Sequence, residues 1–268
     1  MTNREAAEME IRQAKRSLGV VPNDADRQFA GRWCFARDQH DSRVLQPIVS
    51  LTGGADWLYC AYRPRSISRL RLTASASEML SLSGRWLSLS LECERTALEQ
   101  AATWLRADPT LQVGIAVSAD TVKDSLWWHG FTARLSDMPD VARRLTVELA
   151  ETTPLTRGSG HRLHRLLREA GCRLAISGYG LAYGLETETE LPRVDVVKVS
   201  ARAVYGRTDA AQRLAGLLRL AREKSTQVVV EAVDDAMTLA LAREAGACWV
   251  QGRYVGEWQW TADEGGRT

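Results

Sequence analysis

Four polar side chains stand where this chain could do chemistry: Glu148 in VELAE, Lys198 in VVKVS, Glu231 in VVVEAVDD and Gln251 in WVQGRYVG. Each lies at or just beyond the end of a short apolar, β-branched run. In parallel α/β proteins, the carboxyl ends of strands are where active sites are built. Lys198 and Glu231 fall on neighbouring strands and should face each other, as a ligand-binding couple or as an ion pair that compensates two buried charges. The loop that should complete such a site lacks reactive groups. RLAISGYGLAYGLE, residues 173–186, runs from a strand into glycines and two tyrosines, with no acid before Glu186 and no histidine or cysteine.

The elements that must position these residues alternate along the chain. Strands are predicted at RVLQPIVSL, DWLYCAYR, LQVGIAVS, RLTVELAE, RLAISGYG, VDVVKVS, TQVVVEAV and CWVQGRYVG. Amphipathic helices are predicted at LECERTALEQAATWLRA, SGHRLHRLLREAG, RTDAAQRLAGLLRLAREK and DDAMTLALAREAG, two of them closing at Gly171 and Gly246. Eight strands interleaved with helices are the pattern of a (β/α)8 barrel. An open doubly wound sheet fits the middle almost as well, but no strand leads into a glycine-rich nucleotide-cradling motif. Residues 1–40 read as a separate helical extension, with a helix over 4–18, and residues 41–268 as the barrel.

Composition narrows the function. The net charge of +2 gives no electrostatic footprint for nucleic acid. Five cysteines, at 34, 60, 93, 172 and 248, are odd in number and widely spaced, which suits reduced thiols in a cytoplasmic protein. No apolar run approaches the roughly 20 residues that cross a bilayer, so a soluble protein without a membrane partner is expected. Trp127 and Trp128, like Trp258 and Trp260, either split between core and surface or serve an interface.

Six fragments in one order, LQPIVSLTGG, VELAETTPL, LREAGCRLAISGYGLAYG, LPRVDVVKVS, VVVEAVDD and WVQGRYVG, together resemble the bacterial EAL domain over residues 41–256. That family contains cyclic di-GMP phosphodiesterases built on a modified TIM barrel whose first strand is antiparallel to the rest. The resemblance implies acids and an asparagine at strand ends that hold two divalent cations. Carried onto this chain, the Glu-Ala-Leu signature falls on Tyr59-Cys60-Ala61, the asparagine on Ala116 and the paired aspartates on Ser177 and Gly178. Glu148, Lys198, Glu231 and Gln251 match, but the acid that follows the lysine is Ser200. Gln46 and Arg63 match positions through which family members contact the dinucleotide. Tyr59 would fill the cation space with its ring or lend it to a guanine.

The resemblance therefore implies a degenerate member without phosphodiesterase activity and without a cofactor or metal. Its expected role is to regulate by binding a protein, with a homodimer plausible. The alternative is a receptor that holds cyclic di-GMP without hydrolysing it, through Gln46, Arg63, Glu148, Lys198, Glu231 and Gln251. Glu186, Glu188 and Glu190 are expected beside the same pocket, where they would not favour phosphates.

Overall fold

The computed structural model describes residues 43–52, 57–63, 91, 94–150, 155–181, 190–191, 193–256 and 258–260. The helical extension expected over 1–40 lies outside them. The first elements are β1 (Arg43–Ser50), β2 (Trp57–Arg63), a helix α1 over residues 94–107 and β3 (Val113–Val117). Then come α2 (Ala119–Val122), α3 (Ser125–Ser136), α4 (Pro139–Ala142), β4 (Leu145–Ala150), α5 (Ser159–Ala170) and β5 (Arg173–Tyr179). The chain continues through β6 (Val196–Ser200), α6 (Ala210–Arg222), β7 (Gln227–Glu231), α7 (Ala236–Glu244), β8 (Trp249–Val250) and β9 (Trp258–Trp260).

Strands β2 to β8 pair in parallel in sequence order, and β1 pairs antiparallel with both β2 and β8, so the pairing runs round all eight. This is the expected barrel with its first strand reversed. The open doubly wound sheet is set aside because its two edge strands would not share a neighbour.

Alternation along each strand divides inside from outside. Val113, Ile115 and Val117, Leu145, Val147 and Leu149, Leu174 and Ile176, Val197 and Val199, and Val228 and Val230 belong to the large core shared with the helices. Ile48, Tyr59, Ala175, Val196 and Val229 form a separate cluster within the ring. Each helix buries one stripe: Leu98, Ala101, Ala102 and Leu105 on α1, Leu163, Leu166, Leu167 and Ala170 on α5, Leu214, Leu217, Leu218 and Ala221 on α6. Gly171 ends α5 at φ 83°, as its position predicts, and its N–H bonds back to Leu167 and Arg168 carbonyls.

Between β3 and β4 the chain forms three helices that the periodicity did not mark. Asp124 caps α3 by accepting from the Trp127 N–H at 3.1 Å. The adjacent tryptophans of α3 split. Trp128 is buried and donates Nε1–H to the Thr121 carbonyl at 2.9 Å, whereas Trp127 is half-buried and stacks on Phe131 with 4.9 Å between centroids. Among the described residues, no helix is long and apolar enough to cross a membrane.

Candidate functional site

The inward-facing residues of β4, β6 and β7 bring Glu148, Lys198 and Glu231 together near the carboxyl ends of the strands. All three are at least nine-tenths buried. Lys198 Nζ donates to Glu148 Oε2 at 2.6 Å and lies 3.8 Å from Glu231 Oε2. The expected Lys198–Glu231 pair is therefore real but secondary: the shorter partner is Glu148, two strands away. Register explains the reach. Glu148 aligns with Ala116 on one side and Ala175 on the other, two small residues that leave the interior open for a lysine side chain to cross.

Glu231 is held from a different direction. Its Oε1 accepts from the Gly178 N–H at 2.9 Å. Ser177 and Gly178 form a bulge where the β5–β6 register breaks between Ile176 and Tyr179, and Gly178 sits at φ 74°, open to glycine but strained for other residues. The acid-poor loop thus contributes an amide donor. Ala232, immediately after Glu231, adopts φ 62°, and its carbonyl accepts from the Tyr205 hydroxyl at 3.0 Å. A non-glycine residue in that region marks strain at a site.

Tyr59 points into the barrel and is 2% exposed. Lys198 Nζ lies 6.0 Å from its ring centroid, at the limit of a cation–π contact. A Cβ built on Gly114 would come within 3.0 Å of two Tyr59 ring carbons and of Glu148 Oε1, so the ring occupies space that only glycine leaves. Burial above all, then the Glu148 carboxylate beside it, pushes the phenol pKa well up. The Tyr59 hydroxyl and Glu148 Oε1 face each other, both buried, too poorly aligned for a full hydrogen bond yet near enough that their contact raises the phenol pKa further. Gly114 was not singled out in the sequence, although a glycine inside a strand often marks such a close approach.

Gln46 and Gln251 also converge. Gln251 Nε2 lies 3.4 Å from Gln46 Oε1, both side chains are buried, and Gln251 Oε1 has no partner. Arg63 closes β2 opposite Val44, and its side chain lies outside the description. Glu186 and Glu188 also lie outside it. Glu190 is buried, 6% exposed, and its carboxylate accepts from the Gly158 and Gly160 amides at 2.9 and 3.2 Å, capping α5. That acid is committed to the scaffold at the start of α5.

Over residues 35–257 the chain matches the EAL domain family. The chain belongs to the EAL domain family. Solved structures agree on the fold. An EAL domain protein of Listeria monocytogenes shares 17% identity at a TM-score of 0.63, over 81% of this chain and 88% of that one. The FimX EAL domain of Xanthomonas citri, solved with cyclic di-GMP, shares 15% identity at a TM-score of 0.59, over 81% and 88%. BlrP1 of Klebsiella pneumoniae, solved with manganese and cyclic di-GMP, shares 21% identity at a TM-score of 0.58, over 81% of this chain and 55% of that one. This chain therefore spans about half the length of BlrP1. No curated protein sequence matches it. Within this EAL domain, four of the positions where the resemblance expects metal-binding groups are Tyr59, Ala116, Ser177 and Gly178.

Proposed function

We propose that this EAL domain is a regulatory module without phosphodiesterase activity, acting through another protein in cyclic di-GMP signalling. The observation that carries the reading is the place of the Lys198 ammonium, 2.6 Å from one buried carboxylate and 3.8 Å from the other. Two divalent cations at about 2.0–2.6 Å from several oxygens each do not fit these residues. The Glu148 oxygen turned away from Lys198 faces the Tyr59 ring and hydroxyl, and Ala116 and Gly178 offer no side-chain oxygen. Among the described residues no group of three His, Cys, Asp or Glu side chains is placed to hold a metal ion. Two-metal hydrolysis, in which the ions activate a water and neutralise the phosphodiester, thus finds no ligand set among the described residues.

A second reading rests on Gln46 and Gln251. Buried polar atoms are usually satisfied, and Gln251 Oε1 is not. A guanine edge or a ribose hydroxyl of cyclic di-GMP would supply the missing donor, and FimX was solved with that dinucleotide. In this reading the chain is a receptor that binds without hydrolysis.

One calorimetric titration with cyclic di-GMP, run in EDTA and again in Mg²⁺ with the products analysed, separates the readings. The regulatory module gives no heat and no product in either buffer. Binding in EDTA that weakens with Gln251→Ala establishes the receptor. Linear dinucleotide formed in Mg²⁺ ends both.

A further inference from the structure

Helix α5 turns a row of guanidinium groups to solvent. Arg162, Arg165 and Arg168 are exposed and follow one another at steps of three residues, and Arg157 stands exposed just before the first turn. Residues three and four apart share a helix face, so the row is one continuous ridge. The opposite face is spent on the core, where Leu163, Leu166, Leu167 and Ala170 are buried. None of the four arginine side chains has an ion pair or hydrogen bond among the described residues. On other faces exposed arginines meet acids, as Arg134 meets Glu99 and Arg143 meets Asp140.

The charge of this face does not cancel. Residues 155–171 hold four arginines and one glutamate, a net charge of +3 in a chain whose total is +2, so the remainder is slightly acidic. The acids around α5 are mostly committed. Glu190 is buried on the Gly158 and Gly160 amides, where its charge offsets the positive end of the helix, with His161 Nδ1 3.6 Å away. Asp195 accepts from the Leu174 N–H at 2.8 Å. On α3, which packs on α5, Arg134 is paired and Asp137 follows the last turn as an exposed acid. Four guanidinium groups thus meet two uncommitted carboxylates, those of Glu169 and Asp137.

We propose that the exposed ridge of α5 docks an acidic helix of a partner protein, its carboxylates seated on Arg162, Arg165 and Arg168. The pitch selects a helix. Arginines three residues apart rise about 4.5 Å along the axis, the step of acids on a second helix, whereas same-face residues of a strand fall about 6.6–6.8 Å apart. Each guanidinium fork takes a carboxylate through two parallel donors, and each carboxylate relieves repulsion between neighbouring arginines. One exposed pair contributes little, so the ridge recognises as a set. A lipid surface fits less well, because the apolar residues of α5 are buried and none is left on the ridge to enter a bilayer. Nucleic acid fits less well too, because the remainder of the chain is slightly acidic and the pI is about 8.3. The proposal rests on the interaction reading above and adds where the partner sits and what it presents.

The test displays a library of helical peptides randomised on one face, selects it on the full chain, and measures the enriched peptides on a variant carrying Arg162→Glu and Arg165→Glu. The expected peptides carry Asp or Glu at i, i+3 or i+4, and i+7, bind the variant about tenfold or more weakly, and weaken as salt is raised. Circular dichroism checks the fold, and Arg165→Gln with Arg168→Gln, which only removes charge, gives a loss of the same direction if the reversal fails to fold. Enriched peptides without that acidic spacing, acidic peptides that bind every variant equally, or a library with no binder all overturn the ridge while leaving an interaction elsewhere standing. A short DNA duplex or phosphatidylglycerol vesicles that bind more tightly than the best peptide in the same buffer also overturn it, because the occupant is then not a protein helix. Failure of the underlying reading shows separately, as cyclic di-GMP hydrolysis by the unaltered chain.

Discussion

Lys198 Nζ and Glu148 Oε2 meet 2.6 Å apart across the inside of the barrel, with side chains 1% and 4% exposed. The contact joins β6 to β4 over the intervening strand, so it braces the ring as well as balancing charge. A buried pair adds little over well-packed apolar residues, but losing one member strands the other.

Lys198→Met is therefore expected to destabilise the fold by about 3–5 kcal/mol, because Glu148 and Glu231 are left facing each other. Adding Glu148→Gln should recover part of the loss. Chemical denaturation of both variants checks this. The deficit of the single variant should shrink as pH falls, since protonating a stranded carboxylate removes the buried charge.

Tyr59 sets an alkaline limit. Its pKa is raised in the fold above the ordinary 10.0, first by burial and then by Glu148. The fold thus favours the neutral phenol. Stability is intact below pH 10.0 and falls as pH rises above it, where only the unfolded chain ionises freely. Tyr59→Phe should flatten that decline. Near neutral pH it should change stability by less than about 1 kcal/mol, since the hydroxyl it removes makes only a poorly aligned contact with Glu148 Oε1. Thermal unfolding across alkaline pH decides the matter.

Gly114→Ala should cost about 1–3 kcal/mol by overpacking, because its methyl would strike the Tyr59 ring and Glu148 Oε1. With Tyr59→Ala as background the same substitution should cost markedly less. Additive losses in the double-mutant cycle would mean the ring and the glycine do not compete for one space.

Glu190→Ala should cost about 0.5–2 kcal/mol, the range of a lost helix cap, because the Gly158 and Gly160 amides lose their acceptor. Hydrogen exchange should rise first in the opening turn of α5.

Much of the fold was legible because barrel strands are short, apolar and regularly spaced. VVKVS and QVVVE carry their inner and outer faces in plain alternation, and Gly171 and Gly246 mark helix ends. Helix α3 was missed because SLWWHGFTARLS mixes aromatic, glycine and polar residues without a clean stripe; its place comes from packing against α5 and the Asp124 cap. At the site, Lys198 and Glu231 were legible as neighbours, since their strands are adjacent. Glu148 as the lysine's nearer partner was not, because that depends on two small residues, Ala116 and Ala175, leaving the interior open. That Glu190 caps α5 was not legible, because a charge in a loop carries no sign of the amides it will meet.

The pairing of β9 with β1 places Arg43 opposite Trp260, so the chain enters and leaves the barrel at one spot. Joining those two points with a short linker and cutting a surface turn should leave a permuted barrel that still closes. During synthesis the same contact works the other way. One long edge of β1 waits until residues 249–260 have emerged, over the longest sequence separation in the domain, and loop-closure entropy makes such contacts slow. Until those residues are added the ring cannot close, and a sheet left open has free edges exposed to non-native pairing.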